Sequence, residues 1–215
     1  MSAAGSELGP WVPTTPPAVA ELFAEAGFPW WIAGGYAIEL AVGRPLREHG
    51  DLDVLVLRRD QTRVRELLAS WDLHLADPPG AGTLRRWNPT EGVPSLVHDV
   101  WCRCAPEAPW SLQLMFDESD GPEWESRRDA RVRRPVTDLG EVSAAGIPYL
   151  RPAVQLYYKA KSVREKDQLD FDAALPLLSS RERAWLASAV TMTLPGHPWL
   201  DRLAPTVTGT AQPGR

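Results

Sequence analysis

Asp51 and Asp53 stand two residues apart at the head of a run, Asp51–Leu57, that alternates and then turns fully apolar, as a buried strand should. Side chains two apart on a strand leave the same face, so both carboxylates project together. Aspartate is a poor strand former, and two like charges so close repel unless a cation lies between them. Mg2+ takes hard oxygen ligands, often one or two carboxylates completed by substrate phosphates, so the pair suits a metal clamp. A solvated strand end is the plainer reading of the same two residues. Upstream, Gly34-Gly35 follows the short apolar run Trp30–Ala33 and precedes a helical stretch, Tyr36–Val42. Glycines there either tighten a turn or let backbone N–H groups cradle phosphate at a helix start. Together the two features bring phosphate and metal ligands onto neighbouring strands.

The residues around them are more specific. The run Trp31-Ile-Ala-Gly-Gly-Tyr-Ala-Ile-Glu-Leu40, then Gly43-Arg44, Arg47, His49 and Asp51-Leu-Asp53, resembles the polymerase-β-type nucleotidyltransferases. Within that superfamily it is most similar to the aminoglycoside 2″-adenylyltransferase and lincosamide nucleotidyltransferase family, over about residues 30–56. The resemblance implies that Gly34 and Gly35 face a triphosphate and that Asp51 and Asp53 hold Mg2+. It implies transfer of a nucleoside monophosphate, typically AMP from ATP, to an acceptor hydroxyl, with pyrophosphate leaving. Arg44, Arg47 and His49 would touch phosphate or form ion pairs beside the aspartates.

The superfamily also places a third carboxylate on a later strand. In Leu112-Gln113-Leu114 that position is held by Gln113, which cannot act as a base and is a poorer Mg2+ ligand. Asp117, four residues on and so on the same strand face, is the favoured replacement, with Asp99 in the preceding strand as the other candidate. Asp51, Asp53 and Asp117 are therefore the expected catalytic carboxylates. Farther on, Tyr157-Tyr158-Lys159-Ala-Lys161 and Arg164-x-Lys166-Asp167-x-x-Asp170 resemble a helix pair of small nucleotidyltransferases in which a lysine reaches the phosphates. Lys159 and Lys161 point in different directions on a helix, so one of them is expected to face the site. A solvated charged helix face is the alternative.

These residues need a scaffold, and the pattern supplies an α+β one. Thr15 caps a first helix that opens on Pro16-Pro17 and stops by Gly27. Asp60 caps a helix over Gln61–Ser70, Leu73–Ala76 suits an edge strand, and Asp77–Pro94 is a loop or hairpin. Ser95–Cys104 and Trp110–Phe116 read as paired strands, and the charged stretch Asp117–Gly146 carries no clear period. Helices follow from Pro152 to about Val163, from Lys166 toward Leu178, and from the capping box Ser179-x-x-Glu182. The expected architecture is a small mixed nucleotidyltransferase sheet flanked by helices (residues 15–146) and a C-terminal helical part (147–203). Flexible tails are expected at 1–14 and 204–215.

Composition narrows the function. Twenty-three Lys and Arg against 28 Asp and Glu leave a net charge of −5, which argues against a general nucleic-acid binder. The basic cluster Arg127-Arg128 and Arg131–Arg134 is interleaved with acids and reads as a salt-bridged loop. Cys102 and Cys104, the only cysteines, suit neither a disulfide framework nor a zinc site. Neither a signal peptide nor an apolar span is visible, so a cytoplasmic protein that enters no membrane is expected. The first reading is a Mg-dependent enzyme using ATP or another nucleoside triphosphate on a small hydroxylated acceptor such as an aminoglycoside. The others are a toxin-type enzyme that modifies tRNA or protein, and a nucleotide-binding protein without turnover.

Overall fold

A computed structural model describes residues 8–204. Eight strands run through one mixed sheet in the order β4 (Arg85–Arg86), β3 (Asp72–Leu75), β5 (Asp99–Arg103), β6 (Leu112–Asp120), β2 (Asp53–Leu57), β1 (Trp30–Ile32), β10 (Pro148–Leu150) and β9 (Gly140–Val142). Two more, β7 (Glu123–Ser126) and β8 (Asp129–Pro135), extend the far half of β6 as an antiparallel meander. β2 lies at the centre, antiparallel to β1 and parallel to β6. It is buried from Val54 to Leu57, which is why this stretch is apolar on both faces.

Helix α1 (Pro16–Leu22) is capped by Thr15 as expected but ends at Phe23, short of Gly27. Helix α2 (Gly34–Val42) follows β1 and closes at Gly43, whose φ of 77° is the left-handed conformation that glycine tolerates best. α3 (Gln61–Leu67) covers the turn out of β2. The C-terminal helices are α4 (Pro152–Lys159), α5 (Glu165–Ala174), α6 (Ser180–Thr193) and α7 (Leu200–Leu203). Ser179 and Glu182 form the expected capping box of α6. α4 stops earlier than its sequence pattern suggests, because Arg128 donates to the carbonyls of Tyr157 and Tyr158 and satisfies its last turn.

Three differences from the sequence-based expectation bear on the site. The stretch 117–146, which carries no clear period, is mostly strand, and its basic cluster lies at the β7–β8 turn and along β8, with charges paired across strands as in Arg133–Glu125 at 2.6 Å. β10 belongs to the sheet, parallel to β1 with Tyr149 opposite Ile32, so the helical part begins at Pro152 rather than at 147. Residues 11–14 are not loose: Val12 and Thr14 donate to the carbonyls of Trp110 and Ser111, and Trp11 packs on Trp101 with ring centroids 4.9 Å apart. The rest of the expected tails, 1–7 and 205–215, lies outside the described residues. Among the described residues no helix is long and apolar enough to cross a membrane.

Candidate active site

Register brings the acidic residues to one face of the sheet. Asp53 opens β2 opposite Gln113 of β6, and Asp99 of β5 lies opposite Met115 of β6. Residues directly opposite point to the same side of a sheet, so Asp53, Gln113 and Asp99 share a face. Gln113 Nε2 donates to Asp99 Oδ1 at 3.3 Å and so stands between the two carboxylates. Asp51, exposed, lies just before β2. Desolvation, then the neighbouring charges of Asp51 and Asp99, push the Asp53 carboxyl up to about 7, against the opposing pull of Lys159 and Arg127. A divalent cation held by Asp51 and Asp53 would relieve their repulsion and offset the cost of burying the Asp53 charge. The donor set therefore fits Mg2+.

The glycine turn sits against this pair. Gly34 has φ of 68°, and a Cβ built there would stand 2.5 Å from Asp53 Oδ2. Only glycine lets α2 start this close to the carboxylate. Its N–H is already used, donating to Gln155 Oε1 of α4 at 2.8 Å, and no side chain caps the helix start otherwise. Gly35 serves another purpose. The space its missing side chain leaves is taken by the Arg47 guanidinium and the His49 ring. We expect Gly34→Ala to lower stability by about 1–2 kcal/mol from backbone strain alone, and the melting midpoint by roughly 5 °C. A variant that melts with the native protein would show that the turn is not constrained.

Of the loop residues, Arg47 forms an ion pair, its Nη2 3.1 Å from Asp170 Oδ2, and His49 Nε2 lies 2.9 Å from Glu39 Oε1. Arg44 is exposed and lines a separate cavity of about 420 Å³ with Leu40 and Ala144, so it is not brought to the carboxylates. The two lysines divide. Lys159 is buried, 2.8 Å from Asp170 Oδ2 and 3.3 Å from Asp167 Oδ1, whereas Lys161 is exposed beyond the end of α4.

Asp117, favoured from sequence as the third carboxylate, is sealed in the interior. It pairs with Leu57 at the other end of β2, about 13 Å along the strand from Gln113. Its Oδ2 accepts from Trp124 Nε1 at 2.7 Å and from the Tyr158 hydroxyl. Burial raises its pKa despite Arg127 and those bonds. The reason is the meander: β6 runs on to Asp120 and β7 folds Trp124 back over it. The carboxylate beside Gln113 is Asp99.

Two residues absent from the sequence-based site join it. Gln155 precedes Lys159 by one helical turn, a spacing visible in the sequence once that helix is known. Arg127, in the turn between β7 and β8, points its Nη1 between Asp99 Oδ1 at 3.7 Å and Asp117 Oδ1 at 3.8 Å. No local pattern announces it, because it arrives from a turn that the sequence did not reveal.

Over residues 17–75 the chain matches the family described as aminoglycoside-2''-adenylyltransferase. Over that segment the chain is similar to the family, and its fold is that of solved nucleotidyltransferases. Its fold is similar to the solution structure of antibiotic-resistance factor ANT(2'')-Ia, with TM-score 0.53 and 15% identity over 82% of this chain and 89% of that one. It is also similar to the lincomycin-bound lincosamide antibiotic adenylyltransferase LnuA, with TM-score 0.51 and 15% identity over 75% of this chain and 94% of that one. A third, ANT(2'')-Ia in complex with adenylyl-2''-tobramycin, has TM-score 0.51 and 14% identity over 81% and 94%. Among curated proteins none matches the sequence. At such identities the solved structures speak for the nucleotidyltransferase fold, and the matched segment is the one that holds Gly34, Gly35, Asp51 and Asp53.

Proposed function

We propose that the protein is a Mg-dependent nucleotidyltransferase that moves AMP from ATP to a hydroxyl of a small polyhydroxylated acceptor, of the antibiotic class its structural neighbours hold. The observation that carries this reading is Asp53, set against the Gly34 turn and under the charges of Asp51 and Asp99, with its carboxyl pushed up to about 7. Asp51 and Asp53 would hold the metal. Bound there, Mg2+ supplies charge that neutralises the phosphates and the leaving pyrophosphate. Gly34 admits the triphosphate close to Asp53. Asp99, oriented by Gln113, takes the proton of the attacking hydroxyl, and Asp117 has a structural part beneath it. Lys159 adds positive potential from the side of α5.

A nucleic-acid acceptor finds less support. Arg131, Arg133 and Arg134 pair with Asp129, Glu125 and Asp138, so that cluster is largely spent within the meander. Both cysteines are free, in keeping with a reducing cytoplasmic setting.

The test is the melting midpoint with each nucleoside triphosphate, with and without Mg2+. A ligand at about a hundred times its Kd adds roughly 2.7 kcal/mol, a rise of several degrees for a chain of this length. ATP should give that rise only with Mg2+. No rise with any triphosphate would overturn the reading.

A further inference from the structure

The Arg127 side chain is 17% exposed and reaches inward from the β7–β8 turn. Its Nη1 is buried and has no hydrogen-bond partner. The two nearest carboxylates, Asp99 and Asp117, stand at 3.7 and 3.8 Å, longer than a hydrogen bond but close enough to hold the charge in place. The guanidinium also lies 5.2 Å over the Tyr158 ring. Asp117 in turn is fixed by Trp124 and Tyr158. A buried donor without a partner is costly, and one aimed at the place where an anion binds is the arrangement that stabilises developing charge without reorganisation.

Gln113 gives this a chemical sense. With a neutral amide beside Asp53, the face toward β5 offers only Asp99 to a second cation, and Arg127 already stands there. A guanidinium is a fork of donors matched to phosphate oxygens. We infer that Arg127 is a catalytic residue that grips the α-phosphate of the nucleotide from the Gln113–Asp99 side, so that the site works with one divalent cation rather than two. The inference rests on the nucleotide-transfer reading above and deepens it. In the step, the acceptor oxygen forms its bond to the α-phosphorus while the bond from that phosphorus to the bridging oxygen breaks. Pyrophosphate leaves with the electron pair, and the hydroxyl proton goes to Asp99. Arg127 keeps its protons and faces the two non-bridging α-oxygens.

The experiment uses the full chain with α,β-methylene-ATP, which cannot be cleaved, and Mn2+ or Mg2+. Electron paramagnetic resonance should count one bound Mn2+ per chain with the analogue present. Phosphorus NMR of the bound Mg2+ complex should show the α resonance displaced in Arg127→Met, with β and γ unmoved. The analogue's Kd should rise on the order of tenfold in that variant, and less in Arg127→Lys, which keeps the charge. Melting curves of both variants check folding, and if Arg127→Met does not fold, Arg127→Lys must show the α displacement. Two Mn2+ ions per chain, or an α resonance indifferent to position 127, would overturn the inference while leaving the nucleotide site standing. If the native protein does not bind the analogue with either metal, both fall together.

Discussion

Replacing Asp51 and Asp53 together by asparagine is expected to lower nucleotidyl transfer by at least about a thousandfold, since charge neutralisation at a transferring phosphate is worth several kcal/mol. The same double variant should melt higher than the native protein in the absence of metal at pH 8. The sign follows from Asp53. In the folded protein its carboxyl holds a proton up to about 7, whereas in the unfolded chain it ordinarily loses it near 3.8. Between those values the folded state binds more protons, so stability is lost as pH rises through the window. Asparagine has no proton to lose, and the gain at pH 8 should be roughly 1–3 kcal/mol, fading toward pH 4. Metal-free melts at pH 4, 6 and 8 measure it. Mg2+ should stabilise the native protein most at pH 8, where it need not displace a proton, and should not stabilise the variant. A variant that is inactive but less stable at every pH would mean that the carboxylates hold the fold together and do not stand in mutual repulsion.

The heart of the candidate site was legible because it is local. Gly34 and the Asp51–Asp53 pair sit in consecutive elements whose period and turn chemistry are plain, and β2 formed where its apolar run placed it. What stayed hidden depends on long-range folding. Asp117 has the right parity on β6 to join Asp53, but parity says nothing about what covers a strand. Trp124 and Tyr158, 7 and 41 residues away, decide that it is buried. Arg127 is hidden for the same reason, in a charged stretch whose strands pair with each other and whose inward positions include Ser126 and Arg134, so that no apolar alternation shows. Arg44 failed in the other direction. It belongs to the motif segment, yet the helix end at Gly43 turns it toward a different cavity. A neighbour within the motif is placed by the backbone that follows it, and here that backbone leaves the site.

Lys159→Met should lower the melting midpoint by about 10 °C, whatever the protein's substrate. Lys159 is buried together with Asp167 and Asp170, both fully enclosed, and it is the only lysine between them. Asp167 is also held by Arg164 at 2.7 Å, and despite burial these bonds and the Lys159 charge keep its pKa below the ordinary value. Asp170 has Arg47 at 3.1 Å on its far side. Removing the ammonium leaves two buried carboxylates short of a partner, which costs about 3–5 kcal/mol in comparable buried pairs. At roughly 2–4 °C per kcal/mol for a chain of this size, the expected loss follows. Methionine keeps most of the side-chain volume, so packing contributes little to the difference. If the loss is near 10 °C, adding Asp170→Asn to the methionine variant should restore part of it, because the uncompensated charge is then gone. A midpoint within 2 °C of the native one would instead mean that Arg164 and Arg47 carry these carboxylates by themselves. Lys159 would then be free to serve bound phosphate alone, and its loss would appear in the ATP-induced rise and not in the metal-free melt.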